Sequence, residues 1–165
     1  MRILWIAAAA AFAIDQASKY GVIYGLDLIT LRVIEVAPPY LVFVKGLNTG
    51  VNFGLFAGGS DALRYGLIAL ALGLCGVILW WARGFTRRIE FVSAGLLIGG
   101  AMGNALDRVF HPGVLDFLNM SCCGIQNPYI FNVADVFIFA GAIGLMLFSG
   151  RDSAPPGAPT GKNDA

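Results

Sequence analysis

Asp116 and Asp135 are acids that an apolar chain has little reason to keep unless they work. Asp116 sits between Leu115 and Phe117, and neither acid has an obvious cation beside it in sequence. Two carboxylates held near each other in low dielectric cannot both ionise readily, so one keeps a proton. Such a pair offers a general base and a general acid together, as hydrolysis of a peptide bond by activated water requires. Around them stand further polar residues at helical spacing. Asp15 and Lys19 are four apart and can pair on one face, with a structural and a functional role both open. Asn104, Asp107 and Arg108 form an i, i+3, i+4 set, and Asn132 and Asp135 are i, i+3. For Asp107, adjacent to Arg108, a helix-end charge or simple ion pair is the favoured reading.

These residues need elements to hold them, and the composition says which kind. The chain has 165 residues, 58% hydrophobic and 13% charged, against about 25% charged in a soluble domain. A water-soluble globule is excluded, and a net charge of +1 gives no general attraction to nucleic acid. Four segments are long and apolar enough to span a bilayer: about Ile3 to Tyr24, Leu63 to Trp81, Ile89 to Leu106 and Phe131 to Phe148. Arg2, the Arg83–Arg88 loop and Arg151 place both termini in the cytoplasm by the positive-inside rule. The first segment also has a rival reading as a cleaved signal peptide, with Ala11-Phe12-Ala13 as its small-residue pattern, although apolar character resumes at Gly21–Tyr24.

Helical rise puts Asp15 at ~18 Å, Asn104 at ~22 Å, Asp135 at ~24 Å and Asp107 at ~27 Å above the cytoplasmic end. All fall in one outer slab, below which the spans are expected to carry no charge. Gly95, Gly99 and Gly103, with Ala140 and Gly144, predict close helix packing and no chemistry. Residues 25–62 lie outside, with Leu28–Val36 and Leu41–Val44 read as two short strands. The Pro-Gly turn at Pro112-Gly113 can return Val114–Phe117 to the membrane surface. Residues 150–165 form a disordered cytoplasmic tail. Cys75 reads as packing, the adjacent Cys122 and Cys123 as unsuited to a disulfide, and one histidine with scattered cysteines makes no zinc set.

In their order along the chain, Asp15–Lys19, Asn48–Gly54, Gly99–Arg108, Val114–Phe117 and Phe131–Asp135 resemble the motifs of lipoprotein signal peptidases (signal peptidase II), bacterial membrane aspartyl peptidases. The resemblance covers residues 5–148. It implies a membrane α-helical fold, a four-helix transmembrane bundle with a small extracytoplasmic β element. Residues 1–149 would be the peptidase domain, with a periplasmic β-cradle at about 25–62 that includes Phe53–Phe56. It implies Asp116 and Asp135 as catalytic, Asn48, Asn104, Arg108 and Asn132 as substrate-binding, and Asp15, Lys19 and Asp107 as supporting residues. The first helix would stay uncleaved. The enzyme would need no metal or cofactor and would act as a monomer in the bacterial inner membrane. Its substrates would be diacylglyceryl-prolipoproteins, cut just before the lipidated cysteine at the periplasmic interface. Asn52 departs from the small apolar residue usual in the second motif, and Asn119–Asn127 matches nothing in the family pattern. A small ion-coupled transporter or channel component, using Asp15, Lys19 and Asp135 as a relay, is the rival from another class. It lacks polar groups to continue the path across the membrane.

Overall fold

The computed structural model describes residues 1–50 and 61–149, so the expectations for Asn52, Phe53–Phe56 and the tail lie outside the described residues. Within them the chain is mostly helical, with apolar helices and one small sheet. Alanine-rich Arg2–Lys19 forms α1 and runs on through a wider π-helical stretch, Tyr20–Gly25. One helical turn, α2 (Leu28–Leu31), precedes the strands β1 (Val33–Ala37) and β2 (Leu41–Asn48). Then follow α3 (Asp61–Trp81), α4 (Arg88–Phe110), strand β3 (Val114–Asn119) and α5 (Val133–Phe148). Asp61–Gly84 and Arg88–Phe110 are long and apolar enough to cross a membrane. At 16 residues, α5 is ~24 Å long, short of a ~30 Å hydrocarbon layer.

Helix α4 is the centre, because its small residues admit a neighbour on each side. A Cβ on Gly95 would lie 2.5 Å from the Leu4 carbonyl of α1, and one on Gly100 would lie 2.5 Å from the Ala134 carbonyl of α5. The stripe predicted as packing is packing. On α5 the approach runs through Gly141 and Gly144, with Ala140 exposed. Outward-facing residues such as Ile6, Trp80, Phe139 and Met146 stay about 70% exposed, an apolar exterior suited to hydrocarbon.

Three expectations need correction. Leu28–Val36 is not one strand: Leu28–Leu31 coils once, Arg32 takes a φ of 63°, and the strand starts at Val33. The coil sends Leu28 fully inside, against Ile23 and Phe117, and the alternation was too short to distinguish coil from strand. The Val114–Phe117 return is part of a third strand, so the sheet has the antiparallel order β1-β2-β3 and is not confined to residues 25–62. The lower half of the helices also holds a charged group, Glu90, buried near the start of α4. Its carboxylate accepts from the Thr86 and Arg87 N–H groups at 3.0 and 2.9 Å, so it caps the helix.

Candidate active site

Two local structures bring Asp116 and Asp135 together. In the β2–β3 pairing, Asp116 lies opposite Gly46, and the period of two puts Asn48 on the same face. The Asn48 side chain hydrogen-bonds the Asp116 carboxylate. Beyond the hairpin, Phe131 pairs with Leu118: Leu118 N donates to Phe131 O at 2.8 Å, and Phe131 N returns the bond to Leu118 O at 2.9 Å. That pairing sets Asn132 beside β3 at the start of α5.

Asn132 is the N-cap of α5, and the cap fixes Asp135. The Asp135 N–H donates to Asn132 Oδ1 at 3.0 Å, while the Asn132 N–H donates to Asp135 Oδ2 at 3.1 Å. This reciprocal box satisfies two of the free N–H groups at a helix start. Asp135 Oδ1 remains and accepts from Asn104 Nδ2 at 2.9 Å. The Asn132 amide is fully buried and divides its two hydrogens, one to Asp116 Oδ1 at 2.6 Å and one to Asn104 Oδ1 at 3.1 Å. Asp116, Asn132, Asn104 and Asp135 therefore form one continuous hydrogen-bonded set.

Behind this set lies a buried ionic hub. Lys19 Nζ reaches Asp15 Oδ2 and Asp107 Oδ2, each at 2.8 Å, and Asn104 Oδ1 at 3.2 Å, using all three of its donors. Asp15 Oδ1 accepts the Ala134 N–H at 2.9 Å, and Asp107 Oδ2 accepts the Leu115 N–H at 3.1 Å. Each supporting carboxylate thus holds the N–H of the residue just before one of the two central acids. Asp107 does not pair with Arg108, as its place in sequence suggested; burial sends it to Lys19. The Arg108 guanidinium donates to the Asn104 carbonyl at 3.3 Å and lies within electrostatic range of Asp116, Asp135 and Asp107.

Burial, reinforced by the Asp135 carboxylate, pushes the Asp116 carboxyl up to about 6. The opposing pulls come from the Asn132 and Asn48 hydrogen bonds and from Lys19. A raised acid beside a second acid is the arrangement that separates proton donor from proton acceptor. Space for a substrate adjoins it. A cavity of about 180 Å³ borders Asn48, Asp116, Tyr129 and Ile130, and one of about 800 Å³ runs from Asp135 along the apolar Phe139 and Ile143 of α5. Among the described residues no group of three or more His, Cys, Asp or Glu side chains could hold a metal ion.

All nine residues singled out in the sequence meet in this region. Sequence reasoning passed over Gln16, whose amide donates to Asp15 Oδ2 at 3.1 Å and Asp107 Oδ1 at 3.3 Å. It also passed over Arg64, which donates to the Arg108 and Val109 carbonyls at the end of α4. The readable signal for the first was its place on the Asp15–Lys19 helix, facing the same neighbour. Arg64 gave no such signal, because the carbonyls it meets lie on another helix.

Known proteins resemble this chain over most of its length. The profile of the family described as "Signal peptidase (SPase) II" matches residues 7–150. A lipoprotein signal peptidase of Methylorubrum extorquens is 40% identical over 156 residues, covering 94% of this chain and 88% of its own. One of Rhodopseudomonas palustris is 35% identical over 145 residues, covering 86% and 87%. A solved bacterial membrane enzyme superposes with a TM-score of 0.75, covering 98% of this chain and 96% of that one. At 23% identity that likeness speaks for the fold alone, whereas the family match and the relatives speak for descent: the chain belongs to the signal peptidase II family.

Proposed function

We propose that this chain is a membrane aspartyl endopeptidase that removes the signal peptide from diacylglyceryl-modified prolipoproteins, cutting just before the lipidated cysteine. The carrying observation is the hydrogen-bonded set that joins Asp116 and Asp135 through Asn132. In this reading one aspartate of the pair deprotonates a water while its protonated partner polarises the scissile carbonyl. Asn48, Asn104 and Asn132 hold the acids and the substrate backbone, and Arg108 stabilises negative charge as the tetrahedral oxyanion develops. Asp15, Lys19 and Asp107 fix the two segments that carry the acids. The apolar cavity along α5 offers the lipid tails a lateral approach, while the peptide lies over the polar set.

The chain would cross the bacterial inner membrane as a four-span bundle, residues 1–149, with both termini cytoplasmic and the acids near the periplasmic interface. The supporting facts are the basic residues at Arg2, Arg83, Arg87, Arg88 and Arg151 and the gathering of polar side chains at one end of the helices. A monomer suffices, because every residue in this mechanism comes from one chain.

The test is cleavage of a diacylglyceryl prolipoprotein by purified protein. Asp116→Asn and Asp135→Asn should each lose about 10²–10⁴-fold or more in rate, the scale of a lost acid–base group. A rate near wild type in either variant overturns the assignment. Arg108→Ala should slow cleavage with the fold intact, and an unchanged rate removes Arg108 from the site.

A further inference from the structure

Residues 120–130 form a hairpin-like wall that matches nothing in the motifs above, yet it borders the central acids. Pro128, Tyr129 and Ile130 share the 180 Å³ cavity with Asp116 and Asn48. The wall is held from within. Asn119 Nδ2 donates to the Asn127 and Tyr129 carbonyls at 2.8 and 2.9 Å, and the Asn127 N–H donates to Ser121 Oγ at 3.0 Å. Its tip is a tight turn in which the Ile125 N–H donates to the Cys122 carbonyl at 2.9 Å. The two central residues, Cys123 and Gly124, have φ of 59° and 80°, as a type I′ turn requires.

This turn sets two free, exposed thiols side by side, with the Sγ atoms of Cys122 and Cys123 in direct contact. Sequence adjacency argues against a bond, yet the two sulfurs are placed so that, once one of them is in a mixed disulfide, the other can displace the external thiol. A metal is the weaker occupant, since among the described residues no third ligand completes a cluster.

We propose that Cys122 and Cys123 are a redox modification site. They form a reversible vicinal disulfide by exchange with an external organic disulfide, and this bond resets the wall beside Asp116. One thiolate attacks the external disulfide, giving a mixed disulfide and one released thiol. The neighbouring thiolate then attacks the protein sulfur of that mixed bond and releases the second thiol. Two electrons pass from the cysteine sulfurs to the external disulfide, and the two cysteine protons end on the released thiols. The second step is favoured because its nucleophile is already in place. Adjacent Cα atoms are ~3.8 Å apart, less than the ~4.4–6.8 Å usual across a disulfide. The bridge is therefore strained, and strained, exposed bridges are the labile, regulatory kind. The orientation proposed above supplies the setting, since a periplasmic hairpin meets an oxidising compartment; to that extent the inference rests on that reading.

The experiment treats the full chain in detergent micelles with oxidised glutathione, alkylates remaining thiols and measures peptide masses. The expected product is a peptide carrying Cys122 and Cys123 that has lost two hydrogens, bears no glutathione, and regains both hydrogens on reduction. Cys122→Ser should instead stop at a stable glutathione adduct on Cys123. Two alkylated cysteines, or stable adducts on the wild-type pair, overturn the proposal. This mass result decides the bond whatever the chain cleaves, so its failure is distinct from failure of the peptidase reading. In the cleavage assay the oxidised wild type should run several-fold slower and recover on reduction, with the Cys122→Ser/Cys123→Ser variant indifferent to treatment. A disulfide form that cleaves at the reduced rate overturns the link to the Asp116 wall.

Discussion

Helices α3 and α4 are both apolar and similar in length, yet they relate to the rest of the molecule in opposite ways. The α3 span has the higher mean hydropathy, 2.0 against 1.4, but 11% of its most apolar stretch is buried against 50% for α4. Leu70, Leu72, Val77 and Trp80 of α3 face outward, whereas α4 carries Asn104, Asp107 and Arg108 and takes α1 and α5 against its glycines. In water the most apolar helix would be the most buried. In hydrocarbon, burial brings no comparable hydrophobic gain, and the interior goes to helices with small residues and polar groups that need partners. Between these two helices, the higher hydropathy belongs to the one that faces lipid and the lower to the one that carries Asn104, Asp107 and Arg108.

The contrast is broken most forcefully at Lys19. Lys19→Met leaves Asp15 and Asp107 buried without the cation they share, a loss of about 3–5 kcal/mol for a broken buried pair. Thermal unfolding in micelles should show it, and cleavage should fall too as the Ala134 and Leu115 N–H groups lose their anchors. Trp80→Ala on α3, removing a ring 70% exposed, should change stability far less. Equal losses would mean that the polar hub is no more structural than the lipid-facing surface.

A smaller effect comes from pH. The Asp116 carboxyl stands at about 6 in the fold against an ordinary 3.8, so the fold prefers it protonated. Its stabilising contribution is fully present below about pH 3.8 and is lost as pH rises through about 6. The shift corresponds to about 3 kcal/mol. Asp116→Asn, which stays neutral, should match wild type near pH 4 and become the more stable protein by pH 7, while losing activity. Wild-type kcat/KM should decline above about pH 6 as the pair loses its shared proton. Unfolding curves whose separation is constant across that range would show that Asp116 does not titrate as a buried acid.

Much of this was legible in the sequence because the solvent is unforgiving. A charged or amide side chain kept in an apolar helix has to find a partner, so Asp15, Lys19, Asn104, Asp107 and Asp135 announced one polar region, and helical rise placed them at one depth. Spacing gave Asn132 as well, and the family resemblance added Asn48. What stayed hidden depended on strand register and chain reversal. Nothing local says that Val114–Asn119 pairs with β2, which is what sets Asn48 beside Asp116 across a gap of many residues. The Asn132–Asp135 spacing carried a capping signal that was read only as polar periodicity, although the cap is what orients the Asp135 carboxylate. Asp107 does sit in an ion pair, as its type and place suggest, but its cation is Lys19 on another helix and not its sequence neighbour Arg108.

The glycines offer the finest test, since both helices carry them in similar contexts of sequence. A Cβ on Gly103 would lie 2.5 Å from Asp15 Oδ2, an oxygen held by Lys19 and unable to give way cheaply. On α3, a Cβ on Gly76 would meet nothing within 4 Å. Gly103→Ala should destabilise by about 1–3 kcal/mol through overpacking and lower the cleavage rate by displacing the Asp15 grip on α5. Gly76→Ala should be neutral or gain up to about 1 kcal/mol, because alanine is the better helix former. Unfolding of the two variants under one condition reads the difference directly. Similar losses would mean that glycine serves both helices through backbone freedom. Opposite signs would show that the same residue type is a contact surface on α4 and incidental on α3.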